Sequence, residues 1–374
     1  MKNIFRKIHL WLSVPFGLVI TITCFTGALV VFEEDITRFY YRDIASVSPQ
    51  GEPLPLAQLL QVVEESLPGS EVSGVTIPSS SGEAYKVNIS SPQRATYYVN
   101  QYTGVVNGKY ERLEFFRATL RLHRWLLDKN PGNGKIFWGK MIVGASTISF
   151  VVILLTGLVI WYPKNRKMLR NRLKIVLTKG RNRFWYDLHV AGGFYVLLLL
   201  LAMALTGLTW SYRWYSDALY GVFGANGANG GNKKTAVAAV SGATPMAAEW
   251  KADSDENDKY YPWQVAVDAV TSEQPAYGRI QLSKETISVY ANAWGNQSAC
   301  DRYEFDSSTG ELKSVQRYDD NSKRSKIRGW VYSVHVGSWG GFFSRLLAFL
   351  TAMLGATLPL TGYYFWIKRI RKRK

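Results

Sequence analysis

Cysteine and histidine are scarce: the 374 residues include two of the first and four of the second. Cys24 lies in an uncharged apolar run and Cys300 in a polar segment, so no disulfide joins them. Neither belongs to the Cys-x-x-Cys-His motif that attaches haem covalently. Two thiols are also too few for an iron–sulfur cluster. The glycine clusters at 221–231 and 337–341 lack the strand-to-helix setting of a phosphate loop or dinucleotide fingerprint, and no Gly-x-Ser-x-Gly elbow occurs. Nucleotide chemistry and serine hydrolysis are set aside.

Charge is missing from four long runs, residues 10–32, 141–162, 190–210 and 346–367. Each reaches the ~20 residues that a helix needs to cross ~30 Å of hydrocarbon, which predicts four transmembrane helices. Trp161, Tyr162, Tyr364 and Trp366 supply aromatic ends. The first run is longer than the roughly 7 to 15 apolar residues of a signal peptide, and FEEDITRFYY follows it in place of a small-residue cleavage site, so it reads as an anchor.

Acidic residues are missing from residues 1–8, 163–183 and 368–374, which hold three, nine and six Lys/Arg. Basic juxtamembrane segments stay in the cytoplasm, so both termini are expected inside, with the first and third helices running outward. Without these eighteen, 27 of the 45 basic residues face 28 acidic ones, so the formal charge of +17 is a topology signal. It points to anionic lipid and away from nucleic acid.

Each of the four histidines, His9, His123, His189 and His335, lies ahead of one apolar run. The expected topology sorts them into a cytoplasmic pair, His9 with His189, and a periplasmic pair, His123 with His335. The chain also repeats. Thr26-Gly27 follows His9 by 17 and 18 residues, and Thr206-Gly207 follows His189 by the same spacing. LLTGLVIWYPK (Thr156, Gly157) matches PLTGYYFWIK (Thr361, Gly362). The intervening polar segments correspond too: PLAQLLQVVEESLP and PWQVAVDAVTSEQP read as amphipathic helices, and YKVNIS, TYYVNQYTGVV, ISVYAN and RYEFDSSTGEL as strands with Thr-Gly turns. Helices of shared direction make this a parallel duplication. The second half adds GANGANGGNKKTAVAAVSGATPM, too poor in apolar residues to build a core and expected to be mobile.

One histidine at a membrane boundary is most simply an interfacial residue, but four in two pairs, with two recurring at one offset, fit axial ligation of haem iron between facing helices. Two pairs imply two non-covalent haems. A Thr-Gly 17 residues from its own histidine lies ~26 Å along the helix, near the level of the other pair. Gly27, Gly157, Gly207 and Gly362 are therefore candidates for haem packing, with helix packing the plainer alternative. The fourth run begins eleven positions after His335, with Arg345 between, so the His335 helix is expected to extend past the bilayer surface. DKNPGNGK should break the helix after His123.

RKIHLWLSVPFGLVITITCFTGALVVFEED, RLHRWLL with LLTGLVIWYPK, DLHVAGGFYVLLLLLAMALTG, and SVHVGSWGGFFSRLL with LPLTGYYFWIK resemble the PepSY-associated transmembrane family over nearly the whole chain. VNQYTGVV and FDSSTGEL are similar to the end of PepSY domains. The resemblance implies a membrane α-helical bundle of four transmembrane helices with two periplasmic α+β PepSY-like domains. The layout is transmembrane helix 1 (1–32), first periplasmic domain (33–122), outer histidine segment with transmembrane helix 2 (123–162), and cytoplasmic basic loop (163–184). Transmembrane helix 3 (185–213), second periplasmic domain (214–334), transmembrane helix 4 (335–367) and a cytoplasmic basic tail (368–374) follow.

Family members include bacterial inner-membrane ferric-siderophore reductases with two b-type haems. That implies His9 and His189 as axial ligands of one haem, His123 and His335 as those of the other, and an oxidoreductase passing electrons from an unidentified inner donor to a ferric siderophore or other ferric chelate. Arg124, Trp125, Trp339 and Arg345 flank the outer histidines as candidate contacts to propionates or substrate, with an interfacial role the plainer one. Two rivals stand beside this. A membrane-anchored sensor that binds a partner through its outer domains leaves the histidines incidental. A metal carrier using the His pairs directly calls for acidic or thiol co-ligands in the spans, where Cys24 is the one such side chain.

Overall fold

The computed structural model describes residues 2–91, 93–132, 134–225, 235–236, 259–291 and 295–372. Its helices in chain order are α1 (Lys2–Val31), α2 (Glu33–Tyr40), α3 (Arg42–Ala45), α4 (Leu56–Ser66), α5 (Glu114–Trp125), α6 (Trp138–Trp161), α7 (Arg166–Arg172), α8 (Arg181–Asp187), α9 (Gly193–Ser211), α10 (Arg213–Val222), α11 (Tyr261–Glu273), α12 (Lys323–Val336) and α13 (Gly341–Arg371). The strands are β1 (Glu71–Pro78), β2 (Tyr85–Ser91), β3 (Ala95–Val99), β4 (Val106–Tyr110), β5 (Thr235–Ala236), β6 (Arg279–Ser283), β7 (Thr286–Tyr290), β8 (Cys300–Phe305) and β9 (Leu312–Gln316). They form two compact units, one from Met1–Glu34, Leu113–Asn226 and Trp330–Lys374, the other from Asp35–Arg112 and Gly227–Gly329.

The first unit is a helical bundle. Among the described residues four helical stretches are long and apolar enough to cross a bilayer, Lys2–Val31, Trp138–Trp161, Arg181–Ser211 and Ser338–Arg371. Each takes in nearly all of one uncharged run. Ile20, Phe150, Ile153, Leu154, Val196, Leu197, Leu200 and Leu358 pack together inside, while Trp11, Leu18, Leu155 and Leu198 face outward, as lipid contact requires and water contact would penalise. Glycine lets the helices close up: a Cβ on Gly355 would stand 2.8 Å from Leu200 Cδ2.

The helix of His335 does not run on into the fourth span. It ends at Val336, because Gly337 turns left-handed (φ 73°); a single turn, Ser338–Gly340, follows and α13 starts afresh at Gly341. After His123 the chain breaks at the expected place. α5 stops at Trp125, Leu126 and Leu127 take φ of 53° and 66°, and the Asp128 carboxylate accepts from the Gly139 N–H (2.8 Å) at the start of α6.

In the second unit nine strands among the described residues form one antiparallel sheet, ordered β4-β3-β2-β1-β6-β7-β8-β9-β5. The two polar segments, read from sequence as separate domains, each supply a helix and a run of strands, and the β1–β6 pairing from Gly74↔Ser283 to Pro78↔Arg279 merges them. Strand alternation turns Val75, Val87, Val99, Ile280, Ile287, Tyr303 and Phe305 toward Leu59, Leu60 and Val63 of α4 and Ala266 and Val270 of α11. Glu64 ties the halves by accepting from Lys259 Nζ (2.9 Å), the Val72 N–H (3.0 Å) and the Tyr260 hydroxyl. Partial burial pushes that carboxyl up, but the three donors outweigh it and hold it below its ordinary range. The expected turns at Thr103-Gly104 and Thr309-Gly310 place their glycines at φ 73° and 79°. Apart from Gly224, Ala225, Thr235 and Ala236, the Gly/Asn/Ala-rich loop lies outside the described residues.

Candidate functional site

All four histidines belong to the bundle unit. His9 rides on α1, and His189 on one π-helical turn, Leu188–Gly192, between α8 and α9, a wide turn of the kind often found at functional positions. Their ring centres lie 6.4 Å apart with the planes at 84°. His123 on α5 and His335 on α12 form a second pair, 6.2 Å apart at 57°. Lys2 Nζ donates to the Tyr162 carbonyl (2.6 Å) and Arg172 to that of Ile160 (3.1 Å), which gathers basic side chains at the His9/His189 end. We call this the basic end and the other the far end.

One arrangement recurs four times. His9 Nδ1 lies 3.1 Å from the Ile153 carbonyl and 3.2 Å from Thr156 Oγ1. His189 Nδ1 lies 3.2 Å from the Leu358 carbonyl and 2.9 Å from Thr361 Oγ1. For His123 the partners are the Thr23 carbonyl at 2.8 Å and Thr26 Oγ1 at 3.4 Å; for His335, the Met203 carbonyl at 2.9 Å and Thr206 Oγ1 at 3.2 Å. In every case the carbonyl belongs to the residue three before the threonine. A carbonyl only accepts, so Nδ1 carries the proton, and in the neutral ring Nε2 keeps its lone pair.

The glycine after each threonine opens the space for the ring. A Cβ on Gly27 would stand 2.9 Å from His123 Cε1, one on Gly207 3.0 Å from His335 Cε1, one on Gly157 3.4 Å from His9 Cε1 and one on Gly362 3.8 Å from His189 Cε1. What these glycines face is thus an imidazole. Each Thr-Gly meets a histidine from another helix, and the spans Lys2–Val31 and Arg181–Ser211 each serve one pair with a histidine and the other with a Thr-Gly. The 17-residue spacing in the sequence is the distance between the two ends of the bundle.

His123 and His335 stand outside the four spans. The protein packed around them lowers both pKa values, that of His335 to about 4, where the neighbouring imidazole adds to burial. Both rings are neutral at pH 7. Each pair therefore offers two bare nitrogens, and among the described residues no group of three or more His, Cys, Asp or Glu side chains converges as for a metal ion. Two imidazoles bound end-on to one atom, with bonds of about 2 Å and each ring centre about 1 Å beyond its nitrogen, have centres roughly 6 Å apart. Both pairs have that spacing.

The family model for the PepSY-associated TM region matches residues 6–369, a stretch that takes in all four histidines. The chain belongs to that family. No curated protein matches it. Membership and the four apolar helices agree: this PepSY-associated chain is a membrane protein.

The flanking candidates are dispersed. Arg124 lies over the Trp125 ring (4.9 Å), and its charge is felt by both far-end imidazoles. Trp125 also packs on Phe137 (5.5 Å), Arg345 lies over Phe32 (5.8 Å), and Trp339 sits on the turn between α12 and α13. A residue that sequence reasoning missed is Trp210, whose ring is 5.0 Å from that of His335. Its position four residues after Thr206, one helical turn on, was the available signal.

Proposed function

We propose that this PepSY-associated chain is a di-haem electron carrier of the bacterial inner membrane that reduces a ferric chelate, such as a ferric siderophore, on the periplasmic side. One observation carries the reading: two imidazole pairs at opposite ends of a membrane bundle, each with Nδ1 anchored and Nε2 bare at the spacing of a single shared atom. His9 and His189 would hold one non-covalent haem b and His123 and His335 the other. Bis-imidazole haem iron supplies reversible one-electron chemistry.

The chain's own work is positional. Packed protein shields both pairs from water, the carbonyl and threonine contacts fix each ring, and the glycines let the rings seat against the helices. The three acid-free basic segments support a cytoplasmic position for the basic end and both termini. Segments 35–112 and 227–329, each following an outgoing span, then lie in the periplasm. Matched His and Thr-Gly motifs in each half, and a helix with strands from each polar segment, support a parallel duplication. For a ferric chelate the gain of one electron converts Fe(III) to Fe(II), which hard oxygen donors hold less tightly, and so frees the metal for uptake.

Pyridine haemochrome analysis of the detergent-purified protein tests the cofactor. Two haems per chain are expected, and a value near zero after expression with ample haem overturns the reading. Oriented vesicles given a cytoplasmic-face reductant test the direction: a membrane-impermeant ferric chelate should be reduced only at the periplasmic face. Equal reduction from both faces would refute a directed relay.

A further inference from the structure

We propose that Thr26, Thr156, Thr206 and Thr361 are positioning residues that hold the histidines in the ligand-ready tautomer and set how strongly each site holds an electron. The tautomer concerns the protein alone; the electron affinity rests on the di-haem reading.

Each threonine has already spent its single hydroxyl proton. Thr156 Oγ1 donates to the Val152 carbonyl (2.8 Å), Thr361 to Leu358 (2.8 Å), Thr26 to Ile22 (2.6 Å) and Thr206 to Ala202 (2.7 Å). Toward the imidazole it has only lone pairs left, so it acts there as an acceptor. Nδ1–H is then shared between a carbonyl and a hydroxyl on one helix. Acceptors on Nδ1–H push electron density to Nε2 and make it a stronger donor, which favours the ferric state of an iron bound there.

The two ends use this device to different degrees. At the basic end the carbonyls stand at 3.1 and 3.2 Å and the hydroxyls at 3.2 and 2.9 Å, so threonine carries much of the bond. At the far end the carbonyls close to 2.8 and 2.9 Å, with the hydroxyls at 3.4 and 3.2 Å. Deleting a hydroxyl should therefore matter more at the basic end.

The variants are Thr→Val at each position, which keeps the branched shape, and Thr→Ser, which keeps the hydroxyl. Because the chain has four histidines, ¹⁵N-histidine labelling of the haem-free full-length protein in lipid gives a spectrum that can be assigned ring by ring. Every ring should be protonated at Nδ1 and bare at Nε2. Thr361→Val should shift the Nδ1 resonance of His189 alone, and Thr361→Ser should restore it. In haem-loaded protein, Thr156→Val and Thr361→Val should raise the midpoint potential of the basic-end haem, and Thr26→Val and Thr206→Val should raise that of the far-end haem by less. Wild-type rings protonated at Nε2, or Val variants with unmoved Nδ1 resonances, overturn the proposal. Shifted resonances in a chain that never takes up haem would keep the tautomer lock and sink the di-haem reading instead.

Discussion

At the basic end both histidines belong to the spans themselves, His9 to α1 and His189 to the turn that feeds α9, whereas at the far end both sit on short helices, α5 of 12 residues and α12 of 14, that stop within two residues of the ring. A side chain on a long packed helix inherits its position from the helix. One on a short helix must be fixed by what it touches. The far-end carbonyl and glycine contacts are correspondingly closer, with carbonyls at 2.8 and 2.9 Å against 3.1 and 3.2 Å and glycine clearances of 2.9 and 3.0 Å against 3.4 and 3.8 Å, while the threonine hydroxyls stand closer at the basic end. Trp210 adds a further wall against His335. One motif, Thr-Gly facing His, serves both ends, and only the tightness differs.

On the di-haem reading, removing one of the four histidines tests this pairing most severely. His9→Ala and His189→Ala should each abolish the same haem and halve the stoichiometry from two to one, while His123→Ala and His335→Ala abolish the other. Redox-difference spectra of the four variants decide it. If His9→Ala and His123→Ala lost the same haem, the pairing of the rings across the bundle would be wrong.

The pairs were legible because the sequence concentrates few residue types at fixed offsets: four histidines, four uncharged runs and Thr-Gly at a repeated spacing from His9 and His189. The acceptors from Thr23, Ile153, Met203 and Leu358 were not, since they are backbone carbonyls and any residue could supply them. The same holds for the sheet. Alternation marked YKVNIS and ISVYAN as strands, but the β1–β6 pairing that merges the halves rests on main-chain groups of two edges, which leave little trace in side-chain pattern. The break between α12 and α13 was signalled by Gly337, yet glycine is common in spanning helices, and only its positive φ shows that it ends one here.

Filling the glycine pockets should separate the ends next. Gly27→Ala and Gly207→Ala place a methyl at 2.9 and 3.0 Å from an imidazole carbon, inside normal contact, and the short far-end helix must shift to admit it. Displacement of an oriented ligand typically costs about 10- to 100-fold in affinity, so haem retention at the far end should fall by roughly tenfold or more. Gly157→Ala and Gly362→Ala add their methyls at 3.4 and 3.8 Å, ordinary van der Waals distances, and should leave basic-end retention within about twofold. Competition with a haem-scavenging apoprotein measures both. Equal losses at the two ends would mean that the clearances do not govern how the rings seat.

The smallest effect concerns how the two far-end helices stop. α12 ends on Gly337, which accepts its φ of 73° without strain, but α5 ends on Leu126 and Leu127, the two non-glycine residues with positive φ among those described. For an ordinary L-residue this conformation costs about 1–2 kcal/mol. Gly337→Ala should therefore destabilise the far end by at least that much, since its Cβ would also overlap the Ala348 methyl and stand 3.0 Å from the Ser344 carbonyl. Leu127→Gly is the mirror experiment. Leu127 is 48% exposed and gives up little packing, so relief of strain should exceed the extra chain entropy of glycine, about 0.5–1 kcal/mol, and leave a net gain below about 1 kcal/mol. Thermal release of each haem, followed by its own absorbance band, reads both variants at once. Gly337→Ala should lower the far-end release temperature, Leu127→Gly should raise it slightly, and neither should move the basic-end haem, whose ligands ride on helices that no positive-φ stop interrupts. A fall in Leu127→Gly would show that the Leu126–Leu127 turn holds His123 in place through its side chains, and that the far end depends on its strained turn as much as on its carbonyl and glycine contacts.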